Sequence, residues 1–124
     1  ARRIAEAIFA ARDEAVMGNR FPKRDFVDAA DVVPAYLALL EAVESGAVVN
    51  LASERAVTVG GLADRLAEVA GWGGRWIEDP ALVRPGEAEY VIGSSALARR
   101  LIGFEAKVPL EDSLRAVWDE VVPQ

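Results

Sequence analysis

An α/β layered fold is predicted for these 124 residues, and three observations predict it. Stretches with one apolar helical face alternate along the chain with short apolar runs of strand length. The composition, 52% apolar and 27% charged, supplies enough material for a core. No internal repeat, heptad seam or low-complexity segment interrupts the alternation. The length suits one domain of ordinary size.

Taken in order, Ala1 to Glu14 reads as a helix that places Ile4, Ala7, Ile8 and Ala11 on one face. Ala15 to Met17 is a short apolar piece before the Gly18-Asn19 turn and the Pro22 loop, and Asp25 to Val27 reads as a short strand. A helix is expected from Asp31 to Ser45, with Pro34 in its first turn, where no intrahelical partner is lost. Val32, Val33, Tyr36, Leu37, Leu39, Leu40 and Val43 cover most of its circumference, the pattern of a helix buried on more than one side. Ala47 to Leu51 is a continuous apolar strand candidate.

Thr58 is placed to cap a helix from Val59 to Ala70, with Val59, Leu62, Leu66 and Val69 as its apolar stripe and Gly71 as a left-handed terminator. Gly60 and Gly61 weaken its first turn by roughly 1 kcal/mol each relative to alanine. Arg75 to Ile77 and Tyr90 to Ile92 are strand candidates on either side of a loop through Pro80 and Pro85. Ser94 or Ser95 caps a short helix that turns Leu97, Leu101 and Ile102 inward and ends at Gly103. The last helix starts near Pro109 and repeats apolar residues at Leu110, Leu114, Val117, Trp118 and Val121.

Composition removes much chemistry. With no cysteine and no histidine, disulfides, a thiolate nucleophile, the usual zinc ligand set and a histidine base are excluded. Proton transfer is left to carboxylate, Lys or Tyr. A net charge of -6 argues against general nucleic-acid binding, which needs a basic surface. No apolar run reaches the roughly 18 to 20 residues of a membrane span, and the N-terminus lacks a signal peptide's apolar block. A cytoplasmic protein with neither a nucleic-acid nor a membrane partner is expected.

Two stretches could hold a ligand. Lys23-Arg24 beside Asp25 offers adjacent cations able to hold a diphosphate, or surface charges paired with Asp25 and Asp28. In Arg84-Pro85-Gly86-Glu87 a rigid loop sets an Arg and a carboxylate three residues apart, which suits the phosphate and ribose diol of a nucleotide sugar, or an ordinary loop ion pair. Asp25, Asp28 and Asp31 lack the denser oxygen pattern and the Gly of a calcium loop, and helix capping explains Asp28 or Asp31 better than a metal. Trp72, Trp76 and Tyr90 read as core anchors more readily than as a base-stacking platform. There is no G-x-G-x-x-G after a strand, no P-loop, and no Tyr followed four residues later by Lys.

In order along the chain stand Gly18-Asn19, Lys23-Arg24-Asp25-Phe26, Asp31-Val32-Val33 and Ala35-Tyr36, then Val49-Asn50-Leu51-Ala52-Ser53 and Val57-Thr58-Val59. They are followed by Asp79-Pro80, Arg84-Pro85-Gly86-Glu87, Gly103-Phe104 and Val108-Pro109-Leu110-Glu111. Together they resemble the C-terminal part of extended short-chain dehydrogenase/reductases acting on nucleotide sugars, the NAD-dependent epimerase/dehydratase family, and within it the GDP-sugar reductases and dehydratases. The resemblance spans almost the whole chain. It implies the substrate-binding portion of an extended Rossmann-type enzyme, with the dinucleotide-binding sheet largely missing and NAD(P) bound mainly upstream.

By the same resemblance Arg24 would bind the diphosphate, Asn19 would lie against the nucleotide, Arg84 with Glu87 would clamp phosphate and ribose, and Asn50 matches a Tyr-Asn strand motif. No catalytic residue is expected here, because the family's Tyr/Lys pair lies upstream of the matching region. The 124 residues then read as a portion of a longer, homodimeric enzyme. Residues 15–50 would pack on the missing sheet and 51–124 would form a small substrate domain. Departures are Gly60-Gly61 in place of a polar helix start and Phe104 where Trp is common. Epimerase chemistry of the same family, or a non-catalytic binding or oligomerisation module, are the alternative functions.

Overall fold

A computed structural model describes residues 1–44 and 46–123. Among the described residues, five α-helices and two small sheets are arranged around two apolar clusters. The helices are α1 (Arg2–Ala10), α2 (Ala29–Ala42), α3 (Val59–Ala70), α4 (Ala96–Ile102) and α5 (Leu110–Val121); the strands are β1 (Glu14–Met17), β2 (Lys23–Asp25), β3 (Ala56–Thr58), β4 (Arg75–Glu78) and β5 (Tyr90–Val91). The α/β class expected from the sequence is what forms.

β1 and β4 pair in parallel, Ala15 opposite Trp76. The second sheet has the order β3-β2-β5, with β2 antiparallel to β3 and parallel to β5, so that Arg24 lies opposite Val57 and Val91.

The first cluster joins α1, α3 and α5 through Ala5, Ile8, Leu62, Leu66, Ala67 and Leu114. These repeat at helical spacing, and burying a leucine contributes about 1.5–3 kcal/mol. Trp72 and Trp76 pack against this cluster in an edge-to-face pair with ring centroids 4.9 Å apart, and the Trp72 indole N–H donates to Arg12 O. They are anchors, and Tyr90 stands apart from them, exposed on β5. The second cluster, Ala35, Ala98 and Phe104 with Val27, Val49 and Leu51 against it, ties α2 to α4.

The α3 boundaries follow the expected chemistry. Thr58 Oγ1 accepts from Gly61 N at 2.9 Å, and Gly71 closes the helix at φ 64. Gly60 has a further cause, since a Cβ there would come within 2.8 Å of Arg20 Nε. Arg20 crosses that glycine to reach both carboxylate oxygens of Asp64 at 2.8 Å. The weak helix former makes room for an ion pair between loop and helix, made by Arg20 Nη2 alone.

Five expectations are corrected. α1 stops at Ala10, and Glu14 enters β1, where Arg75 pairs with it. The second strand is Lys23–Asp25 instead of 25–27, because β3 and β5 pair with it there. α2 begins at Ala29, since Asp28 Oδ1 accepts from Ala30 N at 2.8 Å and caps the helix ahead of Asp31. It ends at Ala42, and the expected last residue, Ser45, lies outside the described residues. The stretch 47–51 joins neither sheet, and Val48 is 83% exposed. Leu101 is also exposed, Ala98 taking the inward place on α4.

α2 is not enclosed within this chain. Ala35 is buried, but Val33, Tyr36, Leu37 and Leu40 form an exposed apolar face, Leu40 at 79%. No helix is long and apolar enough to cross a membrane among the described residues.

Candidate ligand site at the β2–β5 edge

β2 delivers Arg24 to the edge where β5 and the preceding loop meet it. Its Nη1 donates to Lys23 O at 2.9 Å and Ala88 O at 2.8 Å, and its Nη2 donates to Glu87 Oε1 at 3.2 Å. A guanidinium has five N–H donors in a fixed fork. Three contacts leave Nε–H and one Nη2 hydrogen without a partner among the described residues. The pair is partly covered, with 24% and 30% of the two side chains exposed, so the guanidinium is held in place while still reachable.

Glu87 reaches Arg24 because of its turn. Glu87 N donates to Arg84 O at 3.3 Å across Pro85 and Gly86, and Gly86 has φ 74. Pro at the second position and a left-handed Gly at the third are the pattern of a type II turn. The rigid loop expected from the sequence is therefore present, but its ion pair is not internal. Glu87 pairs with Arg24, and Arg84 stands exposed at the head of the turn. Arg24 likewise does not pair with Asp25 or Asp28.

Asn50 lines a cleft of about 470 Å3 together with Arg24, Tyr36, Ala52, Val91 and Gly93. Asn19 lies in the Gly18 turn, where its Oδ1 accepts from Phe21 N at 3.0 Å. The structure thus brings Arg24 and Glu87 into contact and places Asn50 on the same cleft as Arg24. It sets Arg84 on the adjoining turn and Asn19 in the loop entering β2. A larger cleft, about 680 Å3, opens between residues 26–29, β3 and α5, and none of the five candidates lines it.

The three spaced carboxylates are each engaged by protein donors. Asp25 accepts from Ser53 N, Ser53 Oγ and Glu54 N; Asp28 from Ala30 N and the Ser113 hydroxyl; Asp31 from Lys107 N and Val108 N. The Asp25 contacts and the buried Ser95 that holds Ala52 are not foreseen from sequence. The one signal was Asp25's place beside Arg24.

Two carboxyls sit below their ordinary range. The Ser113 hydroxyl and then the Ala30 amide lower Asp28; the Ser95 amide and then Arg99 lower Glu54. A depressed folded-state value gives stability that is complete above the unfolded values, here near 3.8 and 4.5, and is lost as pH falls through the folded ones. The melting temperature is therefore expected to drop between about pH 5 and pH 3. Ser113→Ala flattens that drop, and an unaltered slope in this variant would remove Asp28 from the account.

A dinucleotide pyrophosphate needs unoccupied backbone N–H groups at a glycine-bearing strand-to-helix turn. The β3–α3 turn is the nearest match, but Val59 N donates to Pro22 O, Gly60 N to Arg20 O and Gly61 N to Thr58 Oγ1. Its donors are all used. NAD(P) does not fit there.

These features define an α/β chain that offers a braced guanidinium on an open cleft at a sheet edge. The chain belongs to the GDP-mannose 4,6 dehydratase family, whose model matches residues 1–117. It is 35% identical over 104 residues to GDP-6-deoxy-D-mannose reductase of Pseudomonas aeruginosa, covering 84% of this chain and 34% of that protein. The chain thus spans about a third of the length of this curated relative. Its fold matches RMD from Pseudomonas aeruginosa, solved with NADPH, at a TM-score of 0.82 and 30% identity, over 97% of this chain and 39% of that one. It also matches UDP-glucose 4-epimerase of Thermotoga maritima, solved with UDP-glucose, at 0.81 and 27%, over 94% and 37%.

Proposed function

We propose that these residues are the nucleotide-sugar-binding portion of an NAD(P)-dependent sugar-nucleotide reductase or dehydratase, with a GDP-sugar as ligand. The observation that carries this is Arg24, braced by Glu87 and Ala88 O with two N–H donors left, on the cleft that Asn50 lines. The guanidinium holds the diphosphate, Arg84 on its rigid turn approaches the same phosphates, and Asn19 lies against the nucleotide. Glu87 has a second acceptor oxygen for a ribose hydroxyl. The reductase likeness, at 35% identity, favours guanine.

The contribution to catalysis is orientation. Fixing the nucleotide end sets where the sugar carbon lies, and the redox and proton steps belong to groups outside these residues. The cofactor supplies hydride transfer when bound to the longer protein. In that protein, residues 15–50 lie on the dinucleotide-binding sheet, and the apolar face of α2 is the seat. Residues 51–124 form a small substrate domain, and Asn19, Arg24 and Asn50 complete its site from the preceding segment. The longer protein is a homodimer.

Calorimetric titration of the complete protein with GDP and with UDP tests the proposal. Tighter binding of GDP is the expected result, and binding of neither sinks it. Tighter binding of UDP moves the reading to an epimerase, the activity named for the Thermotoga maritima structure at 27% identity.

A further inference from the structure

Residues 47–55 cross the fold outside both sheets. A segment without ladder bonds must satisfy its backbone by other means, and here side chains do it. Ser95, 1% exposed, accepts from Ala52 N at 2.7 Å and donates its hydroxyl to Ala52 O at 2.9 Å. Asp25 Oδ1 accepts from Ser53 N at 2.8 Å and Ser53 Oγ at 2.6 Å, while Oδ2 accepts from Glu54 N at 2.9 Å. Glu54, held at φ 61, turns its own carboxylate to Ser95 N and to Arg99, both at 2.7 Å.

The segment is pressed from a third side as well, since a Cβ on Gly93 would come within 2.6 Å of Ala52 Cβ. A left-handed backbone at a residue with a side chain is strained and persists only where its surroundings fix it. Glu54 is fixed by Asp25 at its amide and by Ser95 and Arg99 at its carboxylate.

The arms of this arrangement are short. Asp25 is the next residue after Arg24, and Ser53 lies three residues beyond Asn50. Both ends reach the same cleft, lined by Arg24, Asp25, Asn50 and Ala52. We propose that Asp25 is a positioning residue for the nucleotide site: it fixes the Asn50 segment in register with Arg24, so that one ligand meets both side chains together. This rests on the function proposed above.

The test is a double-mutant cycle by calorimetry with GDP on the complete protein, together with amide hydrogen exchange. Asp25→Asn keeps the shape but turns an amide N–H group toward a backbone donor. About tenfold weaker binding is expected, with faster exchange confined to residues 52–54. In an Asn50→Ala background the same substitution costs little more, because the group it positions is gone. Ser53→Ala, which leaves both backbone donors in place, repeats the cycle at about two- to threefold and serves should Asp25→Asn not fold. Equal losses in both backgrounds, or unchanged exchange at 52–54, overturn the proposal. Absence of any GDP or UDP binding by the unsubstituted protein instead brings down the function it rests on.

Discussion

Replacing Arg24 with alanine is expected to weaken GDP binding by the complete protein about a hundredfold. The guanidinium has two N–H donors left for the ligand, and each charge-assisted hydrogen bond is worth about 1.5–3 kcal/mol when its partner is lost. Two of them, discounted for partial exposure, give roughly 2.7 kcal/mol, or two factors of ten. The substitution also leaves Glu87 without its cation, with a carboxylate facing the phosphate. Arg24→Lys keeps the charge and loses the fork, and recovers only part of the affinity. An affinity for GDP unchanged in Arg24→Ala would show that the phosphate binds elsewhere.

Leu66→Ala carries the largest expected loss of stability. Leu66 is fully buried, on the α3 face shared with Ile8 of α1 and Leu114 of α5. A cavity in a site enclosed on several sides costs about 2–5 kcal/mol, a large part of the 5–15 kcal/mol that holds a typical domain together. Denaturant unfolding should show a lower midpoint with an unchanged slope. A loss below about 1 kcal/mol would mean that the three helices do not depend on one common core.

What could be read from the sequence is what neighbouring residues decide. Thr58 and Gly71 bound α3 because a capping hydroxyl and a left-handed glycine act within one turn of the helix. Pro85 and Gly86 specify their turn by backbone preference alone. The misreadings concern long-range partners. Ala47 to Leu51 has the apolar character of a strand, but its Val49 and Leu51 pack on the cluster between α2 and α4 instead of joining a sheet. Glu87 has its ion-pair partner 63 residues away, and a sequence names only the nearer Arg84. The pegs at Asp25 and Ser95 escaped for the same reason. Ser95 looks like a local cap and Asp25 like a neighbour for Lys23 and Arg24 until the fold brings residues 52–54 against them.

The sheet pairings also govern the order in which the molecule can assemble. β1 meets β4, and β2 meets both β3 and β5, so every strand contact closes a long loop, and neither half of the chain contains a complete sheet. Such distant pairings slow folding, because the entropy of closure is lost before the contact rewards it. During synthesis Arg24 emerges long before Glu87 and Ala88. The Arg24–Glu87 pair can thus form only once the chain through residue 88 has emerged, with α4 and α5 still to follow.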